Sequence, residues 1–207
     1  MRSILNTWNR IRYTVYAPGY DRVVRVGRQR ERSIRLLNPR AGDRVLIAGA
    51  GTGADLPFLP RGAAITAIDI TPAMVRRVRR RAEILGLRVD ARVGNVERLD
   101  FPAESFDKVI LHLILAIVAD PVAVIAEVDR VLKPGGRAVV FDKFVADGRR
   151  PSWPRRLANP VAWLLATDIN RRLGDILQHS SLRPIHRENA WFGGFFTITL
   201  VEKQPGV

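Results

Sequence analysis

An open α/β fold with a doubly wound, mostly parallel sheet is predicted by three observations. The apolar run Val45–Ala48 empties into Gly49-Ala-Gly-Thr-Gly53, and short, wholly apolar runs of this kind are strands buried on both faces. Apolar runs then alternate with helical patterns as far as Phe141, which requires crossovers between parallel strands. Near the end, Phe192-Gly-Gly-Phe195 separates two strand-like runs between Pro184 and Lys203. That pattern predicts a hairpin that adds an antiparallel edge.

The elements follow in order. Ile4, Trp8, Ile11 and Val15 recur at helical spacing and predict an amphipathic first helix, broken by Ala17-Pro-Gly19. A second helix is expected from near Asp21 to Leu37, stopped by Asn38-Pro39. After the strand at Val45, Ala64–Asp69 forms the next strand, and Thr71-Pro72 opens a helix with a capping hydroxyl and a proline in its first turn. Val75, Val78, Ala82 and Leu85 form the buried stripe of that helix, so Arg76, Arg77, Arg79, Arg80 and Arg81 face outward. A third strand ends before Gly94, a fourth opens at Ser105 and reaches His112, and a fifth leaves a helix at Leu132 and reaches Phe141. Beyond Phe144 the pattern changes: Pro151, Pro154 and Pro160 punctuate a stretch holding Trp153 and Trp163, and a helix is expected from about Asp168 to His179. The organisation expected is a helical segment at 1–40, a core at 41–145 and a helix with hairpin at 146–207 that completes the same domain.

Composition narrows the chemistry. The chain of 207 residues can bury one real core. It has no cysteine, which removes disulfides, thiolate nucleophiles and cysteine–metal sites, and no metal centre is expected. No signal peptide is read, and Val109–Ala119, interrupted by His112, is too short to span a bilayer. The net charge of +14 is clustered in residues 1–40, in Arg76–Arg81 and around Arg149–Arg156. Such a surface attracts an anionic partner, either a membrane face or a nucleic acid.

The glycines let backbone pass close beneath a ligand, and the acid at the end of the second strand, Asp69, can accept both hydroxyls of a ribose. This is the signature of a nucleoside-containing cofactor. Gly49-x-Gly51-x-x-Ala54 alone also fits a dinucleotide fingerprint. Three later segments bear on the choice: Gly94-Asn-Val-Glu-Arg-Leu-Asp-Phe-Pro102, Ser105-Phe-Asp-Lys-Val-Ile-Leu-His112 and Leu132-Lys-Pro-Gly-Gly-Arg-Ala-Val-Val-Phe141. With these motifs in this order, the chain from about Arg40 to Lys143 resembles the class I S-adenosylmethionine-dependent methyltransferases.

The resemblance implies a Rossmann-like sheet and a set of site residues. Gly49, Ala50, Gly51 and Gly53 would lie beneath the methionine and ribose of S-adenosylmethionine. Asp69 would hold the ribose hydroxyls and Ile70 would lie against the adenine. Asn95 stands where the family usually has an aspartate that accepts from the adenine amino group; its amide oxygen can accept the same bond without charge, and Val96 supplies adjacent backbone. His112 ends the fourth strand, where the transferred methyl points. It either serves the acceptor as a proton-taking group or is a packed core residue. No role is assigned to Asp55, and Asp107 is expected to be structural.

The acceptor is read from the flanks, because in-line methyl transfer needs alignment more than acid catalysis. Tyr16-Ala-Pro-Gly-Tyr20-Asp21, Ile114–Pro121 and Phe192-Gly-Gly-Phe-Phe196 resemble bacterial phospholipid N-methyltransferases, and the first segment resembles quinone methyltransferases more loosely. This implies a phosphatidylethanolamine-type acceptor, S-adenosylhomocysteine as by-product, and His112 or Tyr20 as proton acceptor. Trp8, Trp153 and Trp163 among arginines suit a headgroup layer, and Arg12 or Arg22 could pair with a lipid phosphate. The expected location is the cytoplasm, peripheral at the inner membrane face, with anionic lipids as partners. A quinone or other small-molecule acceptor is the alternative. Nucleic-acid modification is disfavoured: the fourth strand ends in Leu111-His-Leu113, not an asparagine–proline motif.

Overall fold

The computed structural model describes residues 26–144, 170–191 and 194–205. Seven strands form one sheet in the order β3-β2-β1-β4-β5-β7-β6. They are β1 (Arg44–Ala48), β2 (Ala64–Asp69), β3 (Val89–Val93), β4 (Phe106–His112), β5 (Leu132–Lys143), β6 (Leu182–Trp191) and β7 (Phe196–Lys203). The first five pair in parallel, while β7 runs antiparallel to β5 and to β6. The expected α/β architecture with an antiparallel C-terminal hairpin is what the chain forms. Strand order reverses between β1 and β4, so a crevice opens at the carboxyl ends of those two strands.

Two apolar layers hold the sheet. One joins Val45, Ile47, Ile110, Phe141 and Ile198 to Ile34 and Leu37 of helix α1 (Gly27–Leu37) and to Val75 and Val78 of helix α2 (Pro72–Leu85). The other joins Leu46, Val109, Leu111 and Val140 to Val124 and Val128 of α3 (Pro121–Val131) and to Leu173 and Ile176 of the short helix α4 (Leu173–Leu177). Each fully buried aliphatic side chain contributes about 1.5–3 kcal/mol, so the central strands anchor the site that their ends carry.

Local signals fix the helix ends. Asn38 takes left-handed backbone (φ 50°) and closes α1 by donating to Ile34 O, where Asn38-Pro39 predicted a stop. Asp120 caps α3 by accepting from Ala123 N, with Pro121 in the first turn. Thr71 sits at the N-cap of α2 as expected, yet its hydroxyl makes no capping bond; the neighbouring Asp69 carboxylate takes the Thr71 N–H instead. The helix expected over 168–179 is shorter. Among the described residues it covers only Leu173–Leu177, because Arg171 reaches back to Leu115 O and Val118 O, and Arg172 is extended. Leu85 is half-buried rather than buried, while Arg79 is exposed as expected and donates to Ala91 O at 2.7 Å. Asp107 is structural, accepting from Arg44 N and Lys133 Nζ.

The first amphipathic helix, Tyr20, Arg12, Arg22, Trp153, Trp163 and Phe192-Gly193 lie outside the described residues. Among the described residues, no helix is long and apolar enough to cross a membrane.

Candidate active site

The carboxyl ends of β1, β2, β3 and β4 surround a cleft open to solvent on one side. Gly49, Ala50, Gly51, Asp69, Ile70, Asn95, Val96 and His112 all line it. Gly53 does not; it packs beneath, where an added Cβ would lie 3.3 Å from Val78 Cα. The loop is held from below by Ile68 O, which accepts from both Gly49 N and Ala50 N at 2.9 Å.

Gly49 is the tightest point. Its φ is +79°, and a Cβ there would meet Ile114 Cδ1 at 2.6 Å. Ile114 comes so close because Leu113 takes left-handed backbone, φ 59°, at a cost of about 1–3 kcal/mol for a non-glycine residue. Leu113 N donates to Phe141 O at 2.8 Å, and Asp142 pins the turn by accepting from Ala116 N. Burial pushes the Asp142 carboxyl upward. The strained segment is thereby laid across the glycine loop, and Leu113 and Ile114 become one wall of the cleft.

Asp69 stands at the cleft floor. Its two oxygens accept from Gly51 N and Thr71 N, each at 2.8 Å. Both bonds fix the carboxylate, and each oxygen keeps lone-pair capacity for a ligand hydroxyl. Burial raises its pKa above the usual value, opposed by those two backbone donors. Asn95 Oδ1 accepts from Glu97 N at 3.0 Å, and Asn95 Nδ2 lies 3.4 Å from Glu97 Oε2. Glu97 Oε1 in turn accepts from Asp120 N. The amide is thus oriented by its own turn, and the Glu97 carboxylate joins it in the cleft lining.

A buried chain of four polar residues closes the other end. Asp55 Oδ1 lies 2.8 Å from Arg30 Nη1 and 2.7 Å from His112 Nδ1, and His112 Nε2 lies 2.8 Å from Ser33 Oγ. The His112 and Asp55 side chains are 1% and 2% exposed. Burial alone would push the Asp55 carboxyl up; the Arg30 guanidinium and the His112 ring more than offset it and hold it well below the usual carboxylate range. An anionic carboxylate only accepts, so His112 carries its proton on Nδ1. Arg30 and His112 both reach the cleft.

These residues fit a nucleoside cofactor with a charged amino-acid tail: a paired acid for the ribose, an amide and apolar wall for the base, and a guanidinium beside the glycine loop. Sequence reasoning missed Arg30, Ser33, Asp55 and Glu97. Asp55 and Glu97 lie inside the motifs themselves, and an acid with no assigned task beside a glycine loop was the available signal. Nothing local marks Ser33, which meets His112 across 79 residues.

Known proteins agree with this geometry. A family model described as a methyltransferase domain matches residues 46–140. A phosphatidylethanolamine N-methyltransferase of Cereibacter sphaeroides is 31% identical over 185 residues, covering 84% of this chain and 87% of its own. The chain is a class I S-adenosylmethionine-dependent methyltransferase. The methyltransferase also matches a demethylmenaquinone methyltransferase of Tropheryma whipplei, strain Twist, 35% identical over 72% of this chain and 58% of the relative. Its fold is that of a putative methyltransferase solved in complex with the Haloferax volcanii Trm112 activator (TM-score 0.77, 18% identity, 93% and 98% of the two chains). It is likewise that of a geranyl diphosphate methyltransferase solved with S-adenosylmethionine (TM-score 0.71, 19% identity, 86% and 85%). S-adenosylmethionine is the cofactor of this enzyme and supplies an electrophilic methyl on its sulfonium.

Proposed function

We propose that this methyltransferase N-methylates phosphatidylethanolamine-type headgroups at a membrane surface. The observation that carries the reading is the 31% identity to the Cereibacter sphaeroides phosphatidylethanolamine N-methyltransferase along 84% of this chain and 87% of that one. The quinone alternative rests on a relative of which the chain spans 58%.

Gly49, Ala50, Gly51, Asp69, Ile70, Asn95 and Val96 hold the cofactor, with Gly53 supporting the turn beneath and Arg30 beside its amino-acid tail. The chemistry asked of the other residues is proton management. An ethanolamine ammonium has no lone pair, so one proton must leave before its nitrogen could take the methyl that the cofactor would supply. His112 accepts that proton on Nε2 when the Ser33 hydroxyl turns aside, and anionic Asp55 meets the resulting charge at Nδ1. Tyr20 is the second candidate for the same task on sequence grounds.

The test is incubation with methyl-labelled S-adenosylmethionine and vesicles of total bacterial lipid, read by lipid mass spectrometry. Label in mono-, di- or trimethylated phosphatidylethanolamine supports the reading. Label confined to a quinone would replace it. No labelled lipid with cofactor binding intact would sink it and make RNA the next acceptor to examine.

A further inference from the structure

We propose that Lys143, Phe196 and Trp191 form the rim on which the acceptor lipid lies, with Lys143 at its phosphate and Trp191 in the bilayer interface. The inference rests on the phospholipid reading above and adds residues to it.

The first support is position. Lys143 ends β5, Phe196 begins β7 and Trp191 ends β6, and the sheet register pairs Lys143 with Phe196 and Phe196 with Trp191. All three therefore stand at the end of the sheet that carries the glycine loop and His112. Ring contacts join them to the site: His112 to Phe141 at 5.7 Å, Phe141 to Phe196 at 5.8 Å, and Phe196 to Trp191 at 5.8 Å. Lys143 lies two residues, about 6.6 Å, beyond Phe141, the register partner of His112.

The second support is chemistry. Trp191 is 37% exposed at the outermost strand, with Phe195 meeting Phe196 edge to face. Lys143 Nζ sits 5.8 Å from the Phe196 ring centre, a cation over an aromatic face. A tryptophan with an aromatic base and a neighbouring ammonium is the residue set of a membrane–water interface. Exposed Arg183 and Arg187 make the rest of β6 basic, while its Glu188 is paired with Arg32 of α1. Pro184 and these charges also discourage a second copy from adding a strand to β6, so the occupant is a lipid surface.

The experiment uses the full chain and vesicles of phosphatidylethanolamine with phosphatidylglycerol. Trp191→Ser should weaken co-sedimentation about tenfold while S-adenosylhomocysteine affinity by calorimetry is unchanged. Lys143→Gln should raise the KM for vesicular phosphatidylethanolamine about fivefold, and Lys143→Arg should restore it. Wild-type binding and turnover in both Trp191→Ser and Lys143→Gln would overturn the proposal. Tryptophan-dependent vesicle binding without any methylated lipid from the wild-type enzyme would sink the substrate reading and the Lys143 assignment, leaving only a docking rim.

Discussion

Asp55 accepts the Nδ1 proton of His112 across 2.7 Å, 57 residues away in sequence, and does so inside a core that leaves neither side chain in water. A single buried carboxylate thereby joins the glycine loop to the end of β4, and through Arg30 to α1.

Removing that carboxylate takes the ion-pair partner at 2.8 Å from the buried Arg30 guanidinium. Asp55→Ala should cost about 3–5 kcal/mol of stability at neutral pH, measured by urea unfolding. Arg30 and His112 depress the pKa of Asp55 below its unfolded value, so this contribution is full above the unfolded carboxylate range and is lost as pH falls towards the folded pKa. The gap between variant and parent should therefore narrow in acid. A gap that is constant with pH would mean that packing, not charge, is being measured.

Asp69→Ala should abolish detectable cofactor binding and leave the fold intact. Charge-assisted bonds are worth about 1.5–3 kcal/mol each, so losing both ribose contacts costs at least a hundredfold on this scale, on the order of 3–6 kcal/mol. Calorimetry with S-adenosylhomocysteine, alongside far-ultraviolet dichroism, checks both halves; unchanged affinity would refute the assignment.

The same residue sets a pH dependence. Burial raises the Asp69 pKa in the free enzyme, and only the carboxylate can accept from both hydroxyls. S-adenosylhomocysteine affinity should therefore begin to fall, as pH is lowered, at a higher pH than an ordinary aspartate would give. Asp69→Asn should flatten that profile. The stability of the free enzyme has the opposite sign here: a raised folded pKa means that the contribution is lost as pH rises through it.

Gly49→Ala places a methyl 2.6 Å from Ile114 Cδ1 at a φ of +79°. Overpacking of this kind costs about 1–3 kcal/mol, and cofactor affinity should fall with it because the displaced segment is the cleft wall. Adding Ile114→Ala should recover the clash but not the backbone strain, giving partial rescue in thermal denaturation. Full rescue would show that strain at Gly49 is negligible.

His112→Ala should slow methyl transfer more than it weakens cofactor binding if the ring serves the acceptor. Single-turnover kinetics separate the two. An unchanged transfer rate would leave His112 as a bridge between α1 and the loop.

Much of the cofactor half was legible because its signals are local. Glycines must stand where backbone turns tightly, as at Gly49, and an apolar run ending in an acid announces Asp69 within 21 residues of the first strand's end. The buried chain was not legible, since Ser33, Asp55 and His112 come from three distant segments and meet only once α1 is docked. Thr71 shows a limit of another kind. The sequence pattern names the cap position correctly, but its hydroxyl makes no capping bond, and Asp69, two residues earlier, takes its N–H.

The antiparallel turn of β7 against β5 has a consequence for how such an enzyme can change over time. It returns the last strands of the chain to the same end of the sheet that α1, near its beginning, covers. The nucleotide half, Gly49 to Glu97, is built wholly from the middle. Substitutions in β6 and β7 can therefore accumulate without touching the residues that line the nucleotide half.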